Sequence, residues 1–478
     1  MNEEQCVASR VRRFSSLQLP WIVLSLLLAA GIMASVRMGA GLRLPIGPAG
    51  PDTRLLQGDL RYRTGLFLQA LEQFCGLSLR IDPEDLLQAG IGQYERLALR
   101  REYPDPGAMY RLVVIYARAG FPDEALKLLS RLVQVDERNT PLYLCVSSIY
   151  DPQPQPPQAL RKARETLQAR GDWPTRLALA DLHRRLGELT QAQAIERWAA
   201  VTDLRFGLLM ALMALVYGYL LVQGAVVLIV ALVRWLFTLQ SKPAWSLPLP
   251  PWGATDGSLV ALILAVVVVA VTWGTGHLAY RLGPGTVASP LPALWLVGSY
   301  LASTGLALAA MRWRMGSLPR PLDALGLRGP LSWRALRQGV WGYGVAVALF
   351  AAVALLVGDD LSRLIPGQVG ARGLQALNLW LYFLLTCLVA PLVEEILFRG
   401  FLFAGLRRSL NLPFAALLSA AVFGSAHLGL ALWSMAAVAV MGAFFAYLYE
   451  RTGSLWPPIV AHALHNLLAF VVVMAVGM

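Results

Sequence analysis

Hydrophobic and polar residues are divided unevenly along this chain. An apolar run from Leu19 to Val36 follows Arg10, Arg12 and Arg13. It is longer than the roughly 7 to 15 apolar residues of a secretory signal and so predicts an uncleaved anchor. From Met38 to Arg205 charged residues and prolines are frequent, which predicts a separate soluble domain. From Phe206 onward apolar runs return in series. A bilayer core about 30 Å thick takes roughly 20 helical residues per crossing. Crossings are therefore expected near 206–237, 258–280, 290–311, 339–357, 375–398, 412–429, 430–449 and 457–476. With the anchor they make about nine transmembrane helices. The expected fold is all-α, a polytopic helical membrane protein carrying a soluble α-helical domain.

Within residues 38–205 a period emerges. Ala125, Ala159 and Ala192 recur, as do Pro106, Pro141 and Pro174, and Gly120 and Gly187 each precede their alanine by the same short step. The period is roughly 34 residues, the length of the tetratricopeptide repeat, which this pattern resembles and in which two helices per unit pack through a small residue. Met109 to Val135 is the clearest unit, and the middle one is interrupted by DPQPQPPQ at 151–158. A domain of this kind is expected to bind a protein partner. His183, beside Arg184 and Arg185, is expected at its surface.

Composition sharpens the membrane reading. Of 478 residues 56% are hydrophobic and 15% charged, and the mean hydropathy is +0.54. These values exclude an ordinary soluble protein. The net charge of +12 raises the question of nucleic acid, yet Arg312, Arg314, Arg320, Arg328, Arg334 and Arg337 sit beside apolar runs. The positive-inside rule accounts for them, and no nucleic-acid partner is expected. Arg234 with Lys242, the 312–337 segment, Arg399 with Arg407 and Arg408, and Arg451 all fall on one side if the N-terminus is cytoplasmic. The chain is thus expected in the bacterial inner (plasma) membrane, in contact with its lipid, with residues 1–37 forming a cytoplasmic tail and anchor and 38–205 facing outward. Cys6, Cys75, Cys145 and Cys387 form no CxxC pair. A Cys75–Cys145 disulfide and two free thiols are both open.

Chemistry gathers near the C-terminus. The run Leu374 to Phe398 holds two charges, Glu394 and Glu395, with Arg399 just beyond. On a helix Glu395 and Arg399 are four apart with the acid N-terminal, the favourable order for an ion pair. Glu394 points about 100° away and is left for proton transfer. If the helix passes Pro391, Glu394 precedes Asn411 by nearly the same length of chain as His427 follows it, which sets the two at one depth in an antiparallel hairpin. PPIVAHALHNLL at 457–468 puts His462 and Asn466 on one face, with His465 about 60° round as a rival imidazole. His462 would reach Glu394 only if one of the two helices bends or tilts. His277, near an outer helix end, reads as interfacial or structural.

A carboxylate and an imidazole can deprotonate water, while a second imidazole and an amide stabilise an oxyanion. Zinc is the rival use of Glu394, His427 and His462, since His2Glu plus water is a common catalytic set. The sequence does not choose between them. There is no HExxH, GxSxG or paired membrane aspartate.

EEILFR at 394–399, FGSAH at 423–427 and HALHN at 462–466 resemble the motifs EExxxR, FxxxH and HxxxN. These mark the CAAX prenyl protease and bacteriocin-processing (CPBP, abortive-infection) family of intramembrane proteases. The resemblance covers roughly 320 to 476. It divides the membrane part into 206–319, helices and a basic loop, and 320–478, a protease domain. It implies an endopeptidase acting on a membrane-embedded or lipid-modified peptide. By position, Glu394 would activate water with His427, His462 and Asn466 would line the oxyanion site, and Glu395 and Arg399 would hold the frame. A zinc cofactor stays open. A non-catalytic membrane scaffold or immunity-type factor is the alternative from another class. A transporter is weaker still, because no inverted repeat is evident.

Overall fold

The structure, a computed structural model, describes residues 53–75, 81–99, 104–170, 172–237, 250–264, 266, 291–316, 318–357, 376–427 and 432–477. The anchor Leu19 to Val36, most of the 258–280 crossing, Cys6 and His277 lie outside these residues. Among the described residues all regular structure is helical. Contacts divide the chain into two compact units, one over Pro51–Leu215 and one over Val216–Phe470.

The first unit contains α1 (Thr53–Cys75), α2 (Pro83–Ala98), α3 (Pro106–Arg118), α4 (Pro122–Val135), α5 (Thr140–Tyr150), α6 (Pro157–Gln168), α7 (Trp173–Arg185) and the start of α8 (Leu189–Phe237). Asp82, Asp105 and Asp172 cap α2, α3 and α7, each accepting a backbone N–H of the first turn at 2.8 to 3.0 Å. A proline follows in each first turn, where its missing N–H costs nothing. The helices pack as successive pairs whose first members begin at Pro106, Thr140 and Trp173, so that the helix starts keep the period seen in the sequence. Gly120 (φ 88°) and Gly187 (φ 76°) make the left-handed turns inside the first and third pairs.

Ala125 and Ala192 are buried between paired helices, as the spacing predicts, but in the middle pair Ala163 is buried and Ala159 only half-buried. The proline-rich connection at 151–156 is longer than its counterpart at 119–121, and the packing position moves one turn along α6. His183 corrects the expectation of a surface residue. It is buried, with Nδ1 2.6 Å from Glu188 Oε2, because the turn at Gly187 brings Glu188 back over the end of α7. Buried Asp59 accepts from Arg111 at 2.5 and 2.7 Å and from the Tyr94 hydroxyl at 2.8 Å. Cys145 is a buried free thiol, and the side chain of Cys75 lies outside the described residues.

The second unit holds the remainder of α8, then α9 (Ala254–Leu264), α10 (Leu291–Met315), α11 (Trp333–Val357), α12 (376–407), α13 (Leu412–Ala426), α14 (Leu432–Thr452) and most of α15 (Trp456–Gly477). No proline interrupts 189–237, so the apolar run expected at 206–237 belongs to a helix of 49 residues. Leu189–Ala231 and Trp380–Arg407 are long and apolar enough to cross a membrane. The runs expected at 290–311, 339–357, 430–449 and 457–476 are helices with ends within a few residues of those bounds. Small residues set close crossings: a Cβ on Gly424 of α13 would lie 2.8 Å from Ala439 Cβ of α14. Such close backbone approach is how helices gain packing where apolar surface alone does not drive them together.

Candidate active site

Two widened stretches interrupt α12. Leu385–Val389 and Ile396–Phe403 are π-helical, and the α-helical turn between them, Ala390–Glu395, carries both glutamates. Pro391 lacks an N–H and lies one residue beyond the first π stretch, and the helix runs on through it. Single π turns recur at functional sites because they redirect side chains and loosen the carbonyl ladder. Here the loosened carbonyls are taken up by side chains from two other helices and from the turn before α9. Asn466 Nδ2 donates to Thr386 O at 2.8 Å, Ser419 Oγ to Phe398 O at 3.1 Å, and Trp252 Nε1 to Phe401 O at 3.0 Å.

The expected Glu395–Arg399 pair forms at 2.7 Å with both side chains fully buried. Arg399 also donates to Gly442 O at 3.3 Å, and its guanidinium lies 4.0 Å over the Phe423 ring. The oxygen of Glu395 that receives Arg399 also meets His462 Nδ1 at 2.8 Å. An ionised carboxylate only accepts, so His462 carries a proton on Nδ1 and turns Nε2 the other way. That Nε2 lies 3.8 Å from Glu394 Oε2. Phe445 stacks on the imidazole, with centroids 5.4 Å apart, and Phe423 meets it edge-on.

His427 caps α13 as its last turn ends, where the run was expected to continue to 429. Its Nδ1 donates to Phe423 O at 2.8 Å, the only role open to a nitrogen facing a carbonyl, which leaves a lone pair on Nε2. Nε2 stands 4.0 Å from Glu394 Oε2. The hairpin at Asn411 thus brings Glu394 and His427 together across the turn. Glu394 Oε2 is buried and has no hydrogen-bond partner among the described residues. Side-chain exposure rises from 5% at His462 to 18% at Glu394 and 30% at His427, so the cluster opens on the His427 side. His465 takes no part in the cluster, because its Nδ1 lies 3.1 Å from the Tyr343 hydroxyl.

The same three side chains were the candidate zinc set. Tetrahedral zinc with bonds of about 2.0 to 2.1 Å brings its ligand atoms to about 3.3 Å of one another. The observed separations of 3.8 and 4.0 Å are wider. Among the described residues no group of three His, Cys, Asp or Glu is spaced to hold a metal ion. As arranged, the residues do not fit zinc.

The motif reading did not reach Ser419, Phe445 and Gly442. Gly442 and Phe445 are three apart and share a helix face, a pattern that many apolar helices show. Only the position of Arg399 and His462 against that face gives it meaning. A Cβ at 442 would fall 2.9 Å from Phe423 Cδ1 and 3.1 Å from Arg399 Nη2.

Residues 376–468, which include all seven motif positions, match the family described as "Type II CAAX prenyl endopeptidase Rce1-like". Over 94 residues, 20% of the chain, the sequence is 39% identical to the Bacillus subtilis (strain 168) protein named "Putative membrane peptidase YdiL". The chain spans 37% of that relative's length. No solved structure matches the chain. The segment that carries the cluster is thus similar to membrane peptidases, in keeping with the two long apolar helices.

Proposed function

We propose that the chain is an intramembrane endopeptidase that hydrolyses a peptide bond in a membrane-embedded or lipid-modified substrate, with Glu394 and His427 activating water. The surroundings of Glu394 Oε2 carry this reading. A carboxylate oxygen without a partner and two imidazole Nε2 atoms face one another, too far apart to bond directly. With both Nδ1 atoms protonated, all three are acceptors. A water among them supplies the missing hydrogens, one toward Glu394 and one toward His427, and keeps a lone pair for a carbonyl carbon.

As the water oxygen bonds to the carbonyl carbon, its proton passes to Glu394 and the carbonyl π pair moves onto oxygen. When that pair returns, the C–N bond breaks, and Glu394 delivers the proton to the leaving nitrogen. The products are an acid and an amine, and the glutamate is restored. His427 orients the water and Asn466, with one amide hydrogen left over, lines the carbonyl-oxygen side. Glu395 with Arg399 holds His462, whose Nδ1 hydrogen is used on Glu395, so that the expected oxyanion role of His462 falls to Asn466.

In this proposal the chain sits in the bacterial inner membrane with its N-terminus in the cytoplasm. The helix pairs of 38–205 form a tetratricopeptide-like docking surface for a protein partner. The supporting pattern is the regular recurrence of helix starts at Pro106, Thr140 and Trp173.

The test compares membrane peptide termini in cells carrying the wild-type chain or Glu394→Gln at equal abundance. Termini that require Glu394 are expected. Identical termini, with a cellular phenotype that survives the substitution, would favour a scaffold in which these residues serve packing alone.

A further inference from the structure

Glu394 faces the two imidazoles from the α-helical turn that lies between the π stretches of α12. A π hydrogen bond spans one residue more than an α bond. Gaining or losing that residue rotates the helix on one side of the bond by about 100° against the other side. The register of Ile396–Phe403 therefore decides where Glu394 points, because the helix beyond it is anchored. Arg407 donates to both carboxylate oxygens of buried Glu450 on α14, at 3.0 and 2.9 Å, and to Leu410 O at 2.8 Å.

At the end of this stretch the Ala404 N–H is shared between Arg399 O, five residues back, and Phe401 O. The bond to Arg399 O is the π bond. Trp252, in the turn before α9, gives Phe401 O a donor from outside the helix. Its buried indole Nε1 lies 3.0 Å from that oxygen, and its ring stacks on Phe401 with centroids 5.0 Å apart. With Phe401 O supplied in this way, the Ala404 N–H is left for Arg399 O. The turn that carries Trp252 is itself held from several sides. Arg408 donates to Pro250 O and Pro251 O at 3.1 and 2.6 Å, and Asp256 accepts from the Gly253 N–H at 2.9 Å and from Arg314 at 2.7 Å. A Cβ on Gly405 would fall 2.7 Å from Gly253 O, so the turn lies directly on the backbone of α12. Trp252 is outside the three motifs and outside the 376–468 match.

We propose that Trp252 is a positioning residue for the hydrolysis: its indole N–H holds Ile396–Phe403 in π register and so aims Glu394 at His427 and His462. The inference rests on the hydrolytic reading of Glu394. Without the donor, Phe401 O competes for the Ala404 N–H, the turn relaxes toward α-helix, and Glu394 swings away from the imidazoles. The indole keeps its proton throughout, so the balance of the reaction is unchanged.

Two substitutions separate the donor from the packing. Trp252→Phe keeps an aromatic ring on Phe401 and loses the N–H, whereas Trp252→His gives up ring area and keeps a ring N–H, since imidazole carries Nε2 where indole carries Nε1. A packing role makes His the worse replacement, and a positioning role makes Phe the worse. The experiment follows, over time, the accumulation of Glu394-dependent termini in cells carrying wild type, Glu394→Gln, Trp252→Phe or Trp252→His at equal abundance. Thermal unfolding of the purified full-length chains in detergent is measured alongside. Trp252→Phe is expected to slow every Glu394-dependent terminus about 100-fold, the loss that follows a misplacement of about 1 Å. Trp252→His is expected to cleave faster than Trp252→Phe, although it unfolds at the lower temperature. Wild-type rates in Trp252→Phe, or slower cleavage in Trp252→His than in Trp252→Phe, with termini still lost in Glu394→Gln, would overturn the role of Trp252 and leave the protease reading standing. Equal loss in both variants, or an unfolding temperature for Trp252→Phe well below that of Trp252→His, would also overturn it, by showing the indole to be structural. No Glu394-dependent termini in the wild type would overturn both.

Discussion

His462 is held by Glu395, with Nδ1 2.8 Å from the same carboxylate oxygen that receives Arg399 at 2.7 Å. Because an imidazole carries nitrogens on two edges, the ring reaches Glu394 with Nε2 while its other edge is fixed. Adjacent glutamates thus serve one histidine in different ways, one by gripping it and one by facing it.

This division predicts opposite stability effects. Glu395→Gln leaves the buried Arg399 guanidinium without its counter-ion, and breaking a buried pair costs about 3 to 5 kcal/mol. A large fall in the unfolding temperature is expected in detergent, with activity lost alongside. Glu394→Gln removes a charge whose Oε2 has no partner among the described residues, and stability should stay within about 1 kcal/mol of wild type. Equal destabilisation by the two changes would contradict the division.

Gly442 tests the packing beneath Arg399. Gly442→Ala inserts a Cβ 2.9 Å from Phe423 and 3.1 Å from Arg399. Overpacking of this kind costs about 1 to 3 kcal/mol and should displace both rings that touch His462. Gly218→Ala, with nothing within 4 Å of the added carbon, is the control expected to leave unfolding and activity unchanged.

The wide spacing around Glu394 predicts that activity persists after exhaustive chelation and that the purified chain carries no stoichiometric zinc. Activity lost on chelation and restored by one equivalent of zinc would show that these ligands close on a metal.

In the helix-pair unit, hydrogen bonds from Arg164 and then His183 hold the Glu188 carboxylate below its ordinary value of 4.5. A depressed carboxylate contributes stability above its unfolded-state value and loses it as pH falls through the folded one. The unit's unfolding temperature in the full-length chain should therefore drop as pH falls below about 4.5, and Glu188→Gln should flatten that part of the drop. An unchanged pH profile in Glu188→Gln would refute the contribution.

What the sequence determined by itself was local. The recurrence of proline and alanine places helix starts, apolar run lengths place α10, α11, α13, α14 and α15 to within about six residues while α12 runs on to 407 past its expected end at 398, and four-residue spacing makes the Glu395–Arg399 pair, because helical geometry acts between near neighbours. The Glu394–His427 meeting was also legible, since nearly equal lengths of chain either side of Asn411 place them at one depth. Tertiary structure decided the rest. The π stretches either side of the glutamates depend on donors brought by Asn466, Ser419 and Trp252, residues up to 149 positions away. The burial of His183 depends on how the chain folds back at Gly187. The choice of His462 over His465 depends on which imidazole faces α12 and which faces Tyr343. A fraction of a turn along one helix acquires chemical meaning only when a second helix supplies the partner.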